Sequence, residues 1–322
     1  MQLACHPEPF ASLRTGSTKD MILLSSGCAM TVTIIIRSRN DAQIIERTLR
    51  GVFEQSLRDF EVINFDNAST DGTVETIKRF QTRIVPVPDG AYVPGRVLNQ
   101  AAELSASEII VFLNSDCVPV NQYWLDNLVK PFEDPAVGAV FSRQIAGPGS
   151  LPIIRLDTER AFGDGNEHKK WEHFFSMAGS AIRKSVWINE RFDESMLISE
   201  DLEWSYRIRK EGHTVIYAND SVVEHHHTYS MRELYYRHVK EGIDSVKIFA
   251  KDGSTIDMFI DEFLYPLAYT IARDIPTLLK DFGWKTVLTM PVYRLVLFWG
   301  RFQGVKKALD AGVKDSGVLG FK

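Results

Sequence analysis

The sequence predicts an α/β fold with a mostly parallel central sheet and a helical C-terminal extension. Three apolar, β-branched runs indicate buried strands: residues 31–39, 60–65 and 108–113. Segments with helical periodicity, each about 10 residues long, separate these runs. Strands that alternate with helices are joined by right-handed crossovers, so we expect neighbouring strands to run parallel.

Two helix starts stand out in the sequence. Asn40 follows the first strand and is predicted to be a helix N-cap, with Gln43 as its capping-box partner. Ser199 is predicted to cap a later helix, in which Glu200 and Asp201 suit the positive N-terminal end.

The pattern divides the chain into a main domain and two flanking regions. Residues 1–30 are expected to be a poorly ordered leader; a short export segment is the alternative, but its apolar stretch of about four residues is short for that role. Residues 31–230 form the main domain, with halves at 31–120 and 121–230. Residues 231–322 are predicted to be helical, with breaks near Pro266, Pro276 and Pro291.

Composition and charge exclude several classes of protein. The 322 residues are 44% hydrophobic and 25% charged, which is ordinary for a globular protein. The net charge of -5 argues against a nucleic-acid surface. The three cysteines have no disulfide or zinc spacing, so a reducing compartment is expected. No G-x-G-x-x-G follows a strand, which disfavours a dinucleotide-binding dehydrogenase.

Polar residues follow three of the predicted strands. Arg37 to Arg39 end the first strand, Asp66 ends the second, and Asn114, Ser115 and Asp116 follow the run EIIVFL. Ligands of open α/β sheets bind beyond the carboxyl ends of the strands. These side chains are therefore expected to meet in one binding site.

The order of the motifs VINFDNASTDGT, VFLNSD and ISEDLEWSYRIRKEGH resembles the family 2 glycosyltransferases, over about residues 31–230. The resemblance implies a GT-A fold and inverting transfer of a sugar from a nucleotide-sugar donor with Mg²⁺ or Mn²⁺. It makes residues 31–230 the catalytic domain, with a nucleotide-binding half at 31–120 and an acceptor-binding half at 121–230. The forms FLNSD and HHHTYS are closest to rhamnosyltransferase-like enzymes of surface-polysaccharide assembly. A glycan or lipid-linked glycan acceptor is thereby implied.

The resemblance also assigns roles to residues of the donor site. It implies that Asp66 reads the nucleobase. Asp66 would do so alone, because Asn67 stands where the family often has a second acid. Arg96 and Asn99 are implied to line the donor site. Arg37, Arg39, Asn114 and Ser115 are expected there as well, from their positions at strand ends.

The metal and the base follow from the same resemblance. Asp116 matches the last acid of the metal-binding DxD motif, and Asn114 stands where the first acid usually stands. His225 or His227 matches a histidine near the metal and the diphosphate. Asp201 matches the catalytic base, beside Glu200. Mg²⁺ binds through one or two carboxylates with phosphate oxygens and water, so a single aspartate suffices.

The C-terminal region offers a second kind of surface. Residues 284–307 carry five basic residues and no acid, which is typical of a helix that lies on an anionic membrane. The alternative is packing against the main domain or against a second subunit of a homodimer. No apolar run is long enough to span a bilayer, so the protein is expected in the cytoplasm, with contact through 285–307 to the inner face of the cell membrane.

Two alternative functions use a related fold. A nucleotidyltransferase would carry a glycine-rich loop after the first strand, where this chain has RSRNDAQ. A non-catalytic nucleotide-sugar-binding module would lack Asp116 or Asp201, or hold them in buried salt bridges.

Overall fold

The computed structural model describes residues 32–164, 173–226, 229–249, 251 and 254–313. The predicted leader at 1–30 and His227 lie outside the described residues.

The strands of the described residues form one mixed sheet. In chain order they are β1 Val32–Ser38, β2 Phe60–Asn67, β3 Arg83–Val87, β4 Ile109–Asn114, β5 Cys117–Pro119, β6 Val137–Ala146, β7 Gly179–Arg183 and β8 Thr214–His225. Their spatial order is β3-β2-β1-β4-β7-β6-β8-β5. The first half, β1 to β4, is wholly parallel, as predicted. Strand β7 pairs antiparallel with β4 and β6, and β5 pairs antiparallel with β8, so the second half is mixed.

Helices cover both faces of this sheet and continue past it. In chain order they are α1 Ile45–Phe53, α2 Thr73–Ile77, α3 Pro94–Leu104, α4 Trp124–Val129, α5 Pro152–Phe162, α6 Lys184–Asn189, α7 Glu200–Lys210, α8 Met231–Phe249, α9 Thr255–Phe259, α10 Tyr265–Phe282 and α11 Trp284–Asp310. A 3-10 turn covers Lys130–Glu133, and a π-helical turn covers Ile260–Leu264.

Alternating strand residues fill two cores, one on each side of the sheet. Ile34 and Ile36 of β1 face the core that contains Leu49 of α1. Ile35 faces the opposite core, which contains Leu98 of α3. This two-sided burial explains why the strands are continuous apolar runs in the sequence.

The long C-terminal helices pack through glycines. A Cβ on Gly304 of α11 would lie 2.1 Å from the carbonyl oxygen of Val239, and one on Gly242 of α8 would lie 2.2 Å from that of Arg301. Both distances are far shorter than any real Cβ contact. Only glycine therefore permits the observed approach of α8 and α11.

Three predictions about helix boundaries were wrong. Pro276 and Pro291 lie inside α10 and α11, which continue through them, and the chain turns at Gly283 with a φ of 82°. Asn40 is not an N-cap: α1 begins at Ile45, and Asn40 has a φ of 55°. Within the described residues, no helix is both long and apolar enough to cross a bilayer.

Candidate active site

A cavity of about 760 Å³ opens at the carboxyl ends of β1 and β4. Most of the predicted site residues line it: Arg37, Arg39, Asn114, Ser115, Asp116, Glu200, Asp201 and His225. The structure therefore brings together the polar strand ends, the acidic pair and one histidine.

Arg37 and Asn114 are neighbours in the sheet because β1 and β4 pair in parallel with these two residues in register. Arg37 Nη2 donates a 2.7 Å hydrogen bond to Asn114 Oδ1. Arg37 Nη1 also lies 3.6 Å from Glu200 Oε1, and both side chains are nearly buried. The side-chain oxygen of Asn114, at the position where the first acid of the metal motif was expected, thus points at a guanidinium.

Ser115 connects the next turn to the loop after β1. Its Oγ donates to Asp41 Oδ2, and its backbone carbonyl accepts a 2.6 Å hydrogen bond from Thr48 of α1. Burial raises the pKa of Asp41, which also lines the cavity. Ser115 fixes the backbone just before Asp116, and no sequence motif indicated Asp41.

The residue predicted to read the nucleobase has another set of contacts. Both carboxylate oxygens of Asp66 accept hydrogen bonds, from Ser69 N and from the hydroxyls of Ser38 and Ser69. Asp66 thereby holds the loop after β2, while the next residue, Asn67, lines the cavity. Asn67 Oδ1 is buried and has no hydrogen-bond partner among the described residues. Asn67 is the better placed of the two to meet a ligand.

Asp116 and His225 form a candidate metal centre. The antiparallel pairing of β5 with β8 sets Cys117 opposite His225, and His225 Nε2 lies 3.4 Å from Asp116 Oδ1. When a nitrogen and an oxygen each bind the same ion at about 2.1 Å, the distance between the two ligand atoms is close to this 3.4 Å. Cys117 is the third member of the cluster, but burial raises the pKa of its thiol well above the ordinary value, and a protonated thiol is a weak ligand.

The imidazole of His225 is oriented from behind by Gln144 of β6. Nδ1 of His225 lies 2.7 Å from Gln144 Oε1. An amide oxygen only accepts, so Nδ1 carries the proton and Nε2 presents its lone pair toward Asp116. Asp116 and His225 therefore fit a divalent cation that also binds phosphate oxygens.

The adjacent histidine has a different environment. His226 Nε2 lies 2.6 Å from Glu224 Oε1, which also accepts from Arg47. As the alternation of a strand predicts, His225 and His226 have different partners. The prediction for His227 lies outside the described residues.

Glu200 and Asp201 begin α7 and lie on the cavity. Asp201 Oδ2 accepts from Met177 N at 3.1 Å and Oδ1 accepts from Leu202 N at 2.8 Å, and burial raises its pKa. Glu200 is more deeply buried; burial and the charge of Asp201 raise its pKa to about 8, while Arg37 opposes the shift. A raised pKa makes a carboxylate a stronger base near neutral pH.

The loop that leads into α7 is held by a residue that the sequence analysis missed. Asp244 of α8 is fully buried and accepts hydrogen bonds from the backbone N–H groups of Leu197, Ile198 and Ser199. Ser199 makes no side-chain cap, contrary to the prediction. Asp244 therefore fixes the backbone that carries the acidic pair, although it lies more than forty residues away in sequence.

Three predicted donor residues have partners that decide their role. Asn99 is buried and does not line the cavity; Trp187 Nε1 and Phe192 N donate to its oxygen, which are the contacts of a packing residue. Arg96 pairs with Glu194 at 3.1 Å and lines a separate surface depression beside β3. Arg39 lines the cavity, with Asp89 3.2 Å away.

The C-terminal helices complete the cavity. Arg237, Lys240 and Phe249 of α8 and Arg301 of α11 line it. Arg237 Nη1 donates a 3.0 Å hydrogen bond to the hydroxyl of Tyr229, another cavity residue. The helical extension is thus a structural part of the site.

Comparison with known proteins agrees with this geometry. The model of the family described as "Glycosyl transferase family 2" matches residues 33–192, which contain β1 to β7 and the Asn114–Asp116 turn. The chain belongs to glycosyltransferase family 2. It is therefore a glycosyltransferase, as the resemblance of its motifs predicted.

Curated relatives within this glycosyltransferase family are distant in sequence. The O-antigen chain rhamnosyltransferase RfbN of Salmonella typhimurium is 26% identical over 227 residues, which cover 66% of this chain and 72% of the relative. The rhamnosyltransferase WbaN of Salmonella anatum is 25% identical, over 59% of this chain and 64% of the relative. Glycosyltransferase AglE of Haloferax volcanii is 24% identical, over 83% and 91%.

Solved structures confirm the predicted GT-A fold of this glycosyltransferase. The mannosyltransferase PcManGT of Pyrobaculum calidifontis, in complex with GDP-Man and Mn²⁺, superposes with a TM-score of 0.55 at 20% identity and covers 87% of each chain. Residues 1–349 of TarS from S. aureus, in complex with UDP, give a TM-score of 0.51 at 13% identity, over 88% of this chain and 92% of that one.

Proposed function

We propose that this glycosyltransferase inverts the anomeric centre as it moves a deoxyhexose of the rhamnose type from a nucleoside diphosphate to a hydroxyl group of a growing surface glycan. One observation carries the proposal. The candidate metal pair, Asp116 and His225, and the acidic pair, Glu200 and Asp201, line the same cavity. Inverting transfer requires a site for the leaving diphosphate and a carboxylate beside the attacking hydroxyl. The names of RfbN and WbaN support the sugar and the glycan.

We assign the proton transfer and the positioning of the base to different residues. The acceptor oxygen forms a bond to the anomeric carbon while the bond from that carbon to the diphosphate oxygen breaks. Asp201 takes the proton of the acceptor hydroxyl, and its backbone hydrogen bonds from Met177 and Leu202 hold the carboxylate in place. Glu200, buried behind it and paired with Arg37, positions the start of α7.

The leaving group departs as a nucleoside diphosphate. Asp116 and His225 would hold Mg²⁺ or Mn²⁺, and the bound ion would neutralise the charge that develops on the diphosphate. PcManGT, a structural neighbour, was solved with Mn²⁺. Asn67, with its unsatisfied buried oxygen, and Arg39 are the residues that we assign to the nucleotide. We predicted that Asp66 reads the nucleobase; from its contacts with Ser69 we now assign it to shaping the nucleotide loop.

A panel of nucleotide sugars tests this function. UDP-, GDP- and dTDP-linked sugars are incubated with the protein and Mn²⁺ or Mg²⁺, and slow donor hydrolysis is measured by release of the nucleoside diphosphate. We expect one dTDP- or GDP-linked deoxyhexose to be hydrolysed and to raise the melting temperature in a metal-dependent way. If no donor is hydrolysed or bound, the proposed function is wrong.

We further propose that the acceptor is anchored in a membrane and that α11 rests on the inner face of the cell membrane. The exposed residues Trp284, Leu288, Val292, Leu295 and Trp299 form one stripe along α11 at helical spacing. Tryptophan side chains suit the boundary between lipid and water.

Charge contributes less to this contact than the sequence suggested. Arg294 is buried between Asp157 and Asp274, Arg301 pairs with Glu262, and Lys306 pairs with Asp310. Only Lys285 and Lys307 of the five basic residues are exposed without such a pair among the described residues. The contact should therefore depend on apolar area and only weakly on salt.

Vesicle flotation tests this placement. We expect the protein to float with phosphatidylcholine vesicles in high salt, and expect the Trp284→Ser, Leu288→Ser double variant to stay in the aqueous fraction. A matched control is the Val120→Ser, Tyr123→Ser pair, which removes exposed apolar groups from the main domain. If the α11 pair instead abolishes a dimer seen by analytical ultracentrifugation and leaves flotation unchanged, the stripe is a subunit interface.

A further inference from the structure

The cavity has a second charged region, formed by α8 and α11, that the transfer reaction itself does not use. We propose that Lys240 and Arg301, supported by Arg237, bind a phosphate or diphosphate group of the acceptor. This inference rests on the proposed function, because it specifies what the acceptor must carry. The surface is called the α8/α11 cluster below and consists of those three residues.

The balance of charge around the α8/α11 cluster favours an anion. Of the charged residues of α8 and α11 that line the cavity, Arg237, Lys240 and Arg301 are cations and Glu241 is an acid, which leaves a surplus of two positive charges. Arg237 pairs with Glu241, and Arg301 and Lys251 share Glu262 outside the lining. Glu241 is also shared with His238. A phosphate monoester carries a charge of about −1.5 to −2 at neutral pH, which matches this surplus better than a single carboxylate does.

The packing of the helices explains why these cations lie side by side. Gly242 and Gly304 allow the backbones of α8 and α11 to touch, and Arg301 lies on the turn of α11 whose carbonyl meets Gly242. Lys240 and Arg301 consequently line the same cavity from two different helices. Arginine presents a planar fork of donors to phosphate oxygens, and lysine adds a mobile point charge.

The part of the cavity formed by the strand ends and α7 carries more acids than arginines. Asp41, Asp116, Glu200 and Asp201 line it together with Arg37, Arg39 and His225. Without a metal, an anionic group is less favoured there than at the α8/α11 cluster, where cations outnumber acids. An acceptor bound through its phosphate at the cluster would extend its sugar hydroxyl toward Asp201. Ile248 and Phe249, which also line the cavity, add apolar surface beside the phosphate.

Binding of simple phosphates in the presence of EDTA tests the α8/α11 cluster, because the chelator removes metal-dependent binding at Asp116. One arm uses glucose 1-phosphate with methyl glucoside as its uncharged comparator. The other arm uses phosphatidylcholine vesicles that carry undecaprenyl phosphate, with undecaprenol as comparator. The protein variants are Lys240→Gln, Lys240→Glu and, as matched control, Lys130→Glu, which reverses an exposed lysine far from the cavity.

We expect the wild type to prefer the phosphate-bearing probe in at least one arm, and expect Lys240→Glu to weaken that binding about tenfold or more. Lys240→Gln should have an intermediate effect, and Lys130→Glu should have none. Preference in the vesicle arm alone identifies a lipid phosphate, and preference in the soluble arm alone identifies a sugar phosphate. Equal binding by wild type and Lys240→Glu in both arms overturns the proposal.

The failure of this inference can be separated from failure of the proposed function. Nucleotide-sugar binding with Mn²⁺ is measured on the wild-type protein and on the Lys130→Glu control, which should leave it unchanged. A wild type that binds no nucleotide sugar contradicts the proposed function, whatever the phosphate probes show. A wild type that binds nucleotide sugar but no phosphate in EDTA contradicts only the α8/α11 cluster.

Discussion

Arg37 Nη2 donates a 2.7 Å hydrogen bond to Asn114 Oδ1, at the point where the metal motif of related enzymes has its first acid. The same guanidinium lies 3.6 Å from Glu200. Arg37 therefore connects the turn that carries Asp116 to the start of the helix that carries Asp201. An aspartate at position 114 would have paired with this arginine, so a neutral amide in that place leaves Arg37 available to Glu200.

The contact between Arg37 and Asn114 predicts how the metal is held. Because the oxygen of Asn114 accepts from Arg37, the proposed ion would have two protein ligands, Asp116 and His225. We expect weak Mn²⁺ binding in the absence of donor, with a dissociation constant of about 0.1 mM or higher, and at least tenfold tighter binding when a nucleoside diphosphate supplies phosphate oxygens. Electron paramagnetic resonance of free Mn²⁺ measures both constants.

Variants of the candidate metal site distinguish residues that bind the ion from a residue that only lies beside it. His225→Ala and Asp116→Asn should each weaken nucleotide-dependent Mn²⁺ binding about tenfold or more. This is at least the loss seen when a residue that only orients a metal ligand is mutated. Asn114→Ala should change it by no more than about threefold. Tight Mn²⁺ binding by the wild type without nucleotide, or its loss in Asn114→Ala, would contradict this assignment.

The two acids at the start of α7 should differ in their effect on turnover. Asp201→Asn removes the proposed base, and we expect transfer to fall about 10²- to 10⁴-fold with donor affinity retained. Glu200→Gln keeps the size of the buried side chain, and we expect a smaller loss, about tenfold or less. The turnover number and the donor dissociation constant are measured for both. A larger loss in Glu200→Gln than in Asp201→Asn would reverse the assignment of the base.

Glu200 also predicts how stability depends on pH. Its pKa is about 8 in the folded protein against 4.5 for the ordinary group, so between these values the folded state binds the proton that the unfolded state has lost. The free energy of unfolding should therefore fall as the pH rises from about 4.5 to 8, and the contribution of this group should level off above that. Urea unfolding at several pH values measures the slope. Glu200→Gln should flatten it, whereas Glu133→Gln, at an exposed position, should not.

The sequence predicted those site residues that follow strands or begin a helix. Asp116, Asn114 and Arg37 were found because the carboxyl ends of parallel strands meet at one edge, and Asp201 was found through its motif. Asp244 and Gln144 were missed. Each acts on a segment more than forty residues away through a contact that only the tertiary packing creates.

Two residues have contacts that their local sequence does not indicate. Asn99 was assigned to the donor site from the motif around it, but its amide satisfies Trp187 and the backbone of Phe192 inside the core. Asn40 looked like a helix cap, yet it has a left-handed conformation and its Oδ1 accepts from Thr70 N of the loop after β2. In both cases a distant partner outweighed the local signal.

A buried ionic cluster predicts a large stability effect in the C-terminal region. Arg294 is 3% exposed and pairs with Asp157 of α5 and Asp274 of α10. Arg294→Met should cost about 3–5 kcal/mol in the free energy of unfolding, because Asp157 loses this partner and the buried Asp274 keeps only Arg160 and Arg273. Arg50→Met, which breaks an exposed i,i+4 pair with Glu46, should cost less than about 1 kcal/mol. Similar costs for the two variants would contradict the role of the buried cluster.

The crossing of α8 and α11 offers the sharpest test of how the helical extension serves the site. Gly304→Val should force the helices apart, because even a Cβ would lie 2.1 Å from the carbonyl oxygen of Val239. We expect a loss of about 3 kcal/mol or more, at or above the usual range for overpacking.

The matched control for this crossing is Gln303→Val, which adds the same side chain at the neighbouring, half-buried position of α11. It should cost about 1 kcal/mol or less, the usual scale for a change in helix propensity. Thermal and urea unfolding measure both variants.

The crossing also bears on phosphate binding, because Arg301 reaches the cavity only through it. Gly304→Val should weaken phosphate binding in EDTA. Nucleotide-sugar binding with Mn²⁺ should persist in the protein that remains folded. Phosphate binding that survives in Gly304→Val would show that Arg301 and Lys240 do not need the close packing of α8 and α11 to act together.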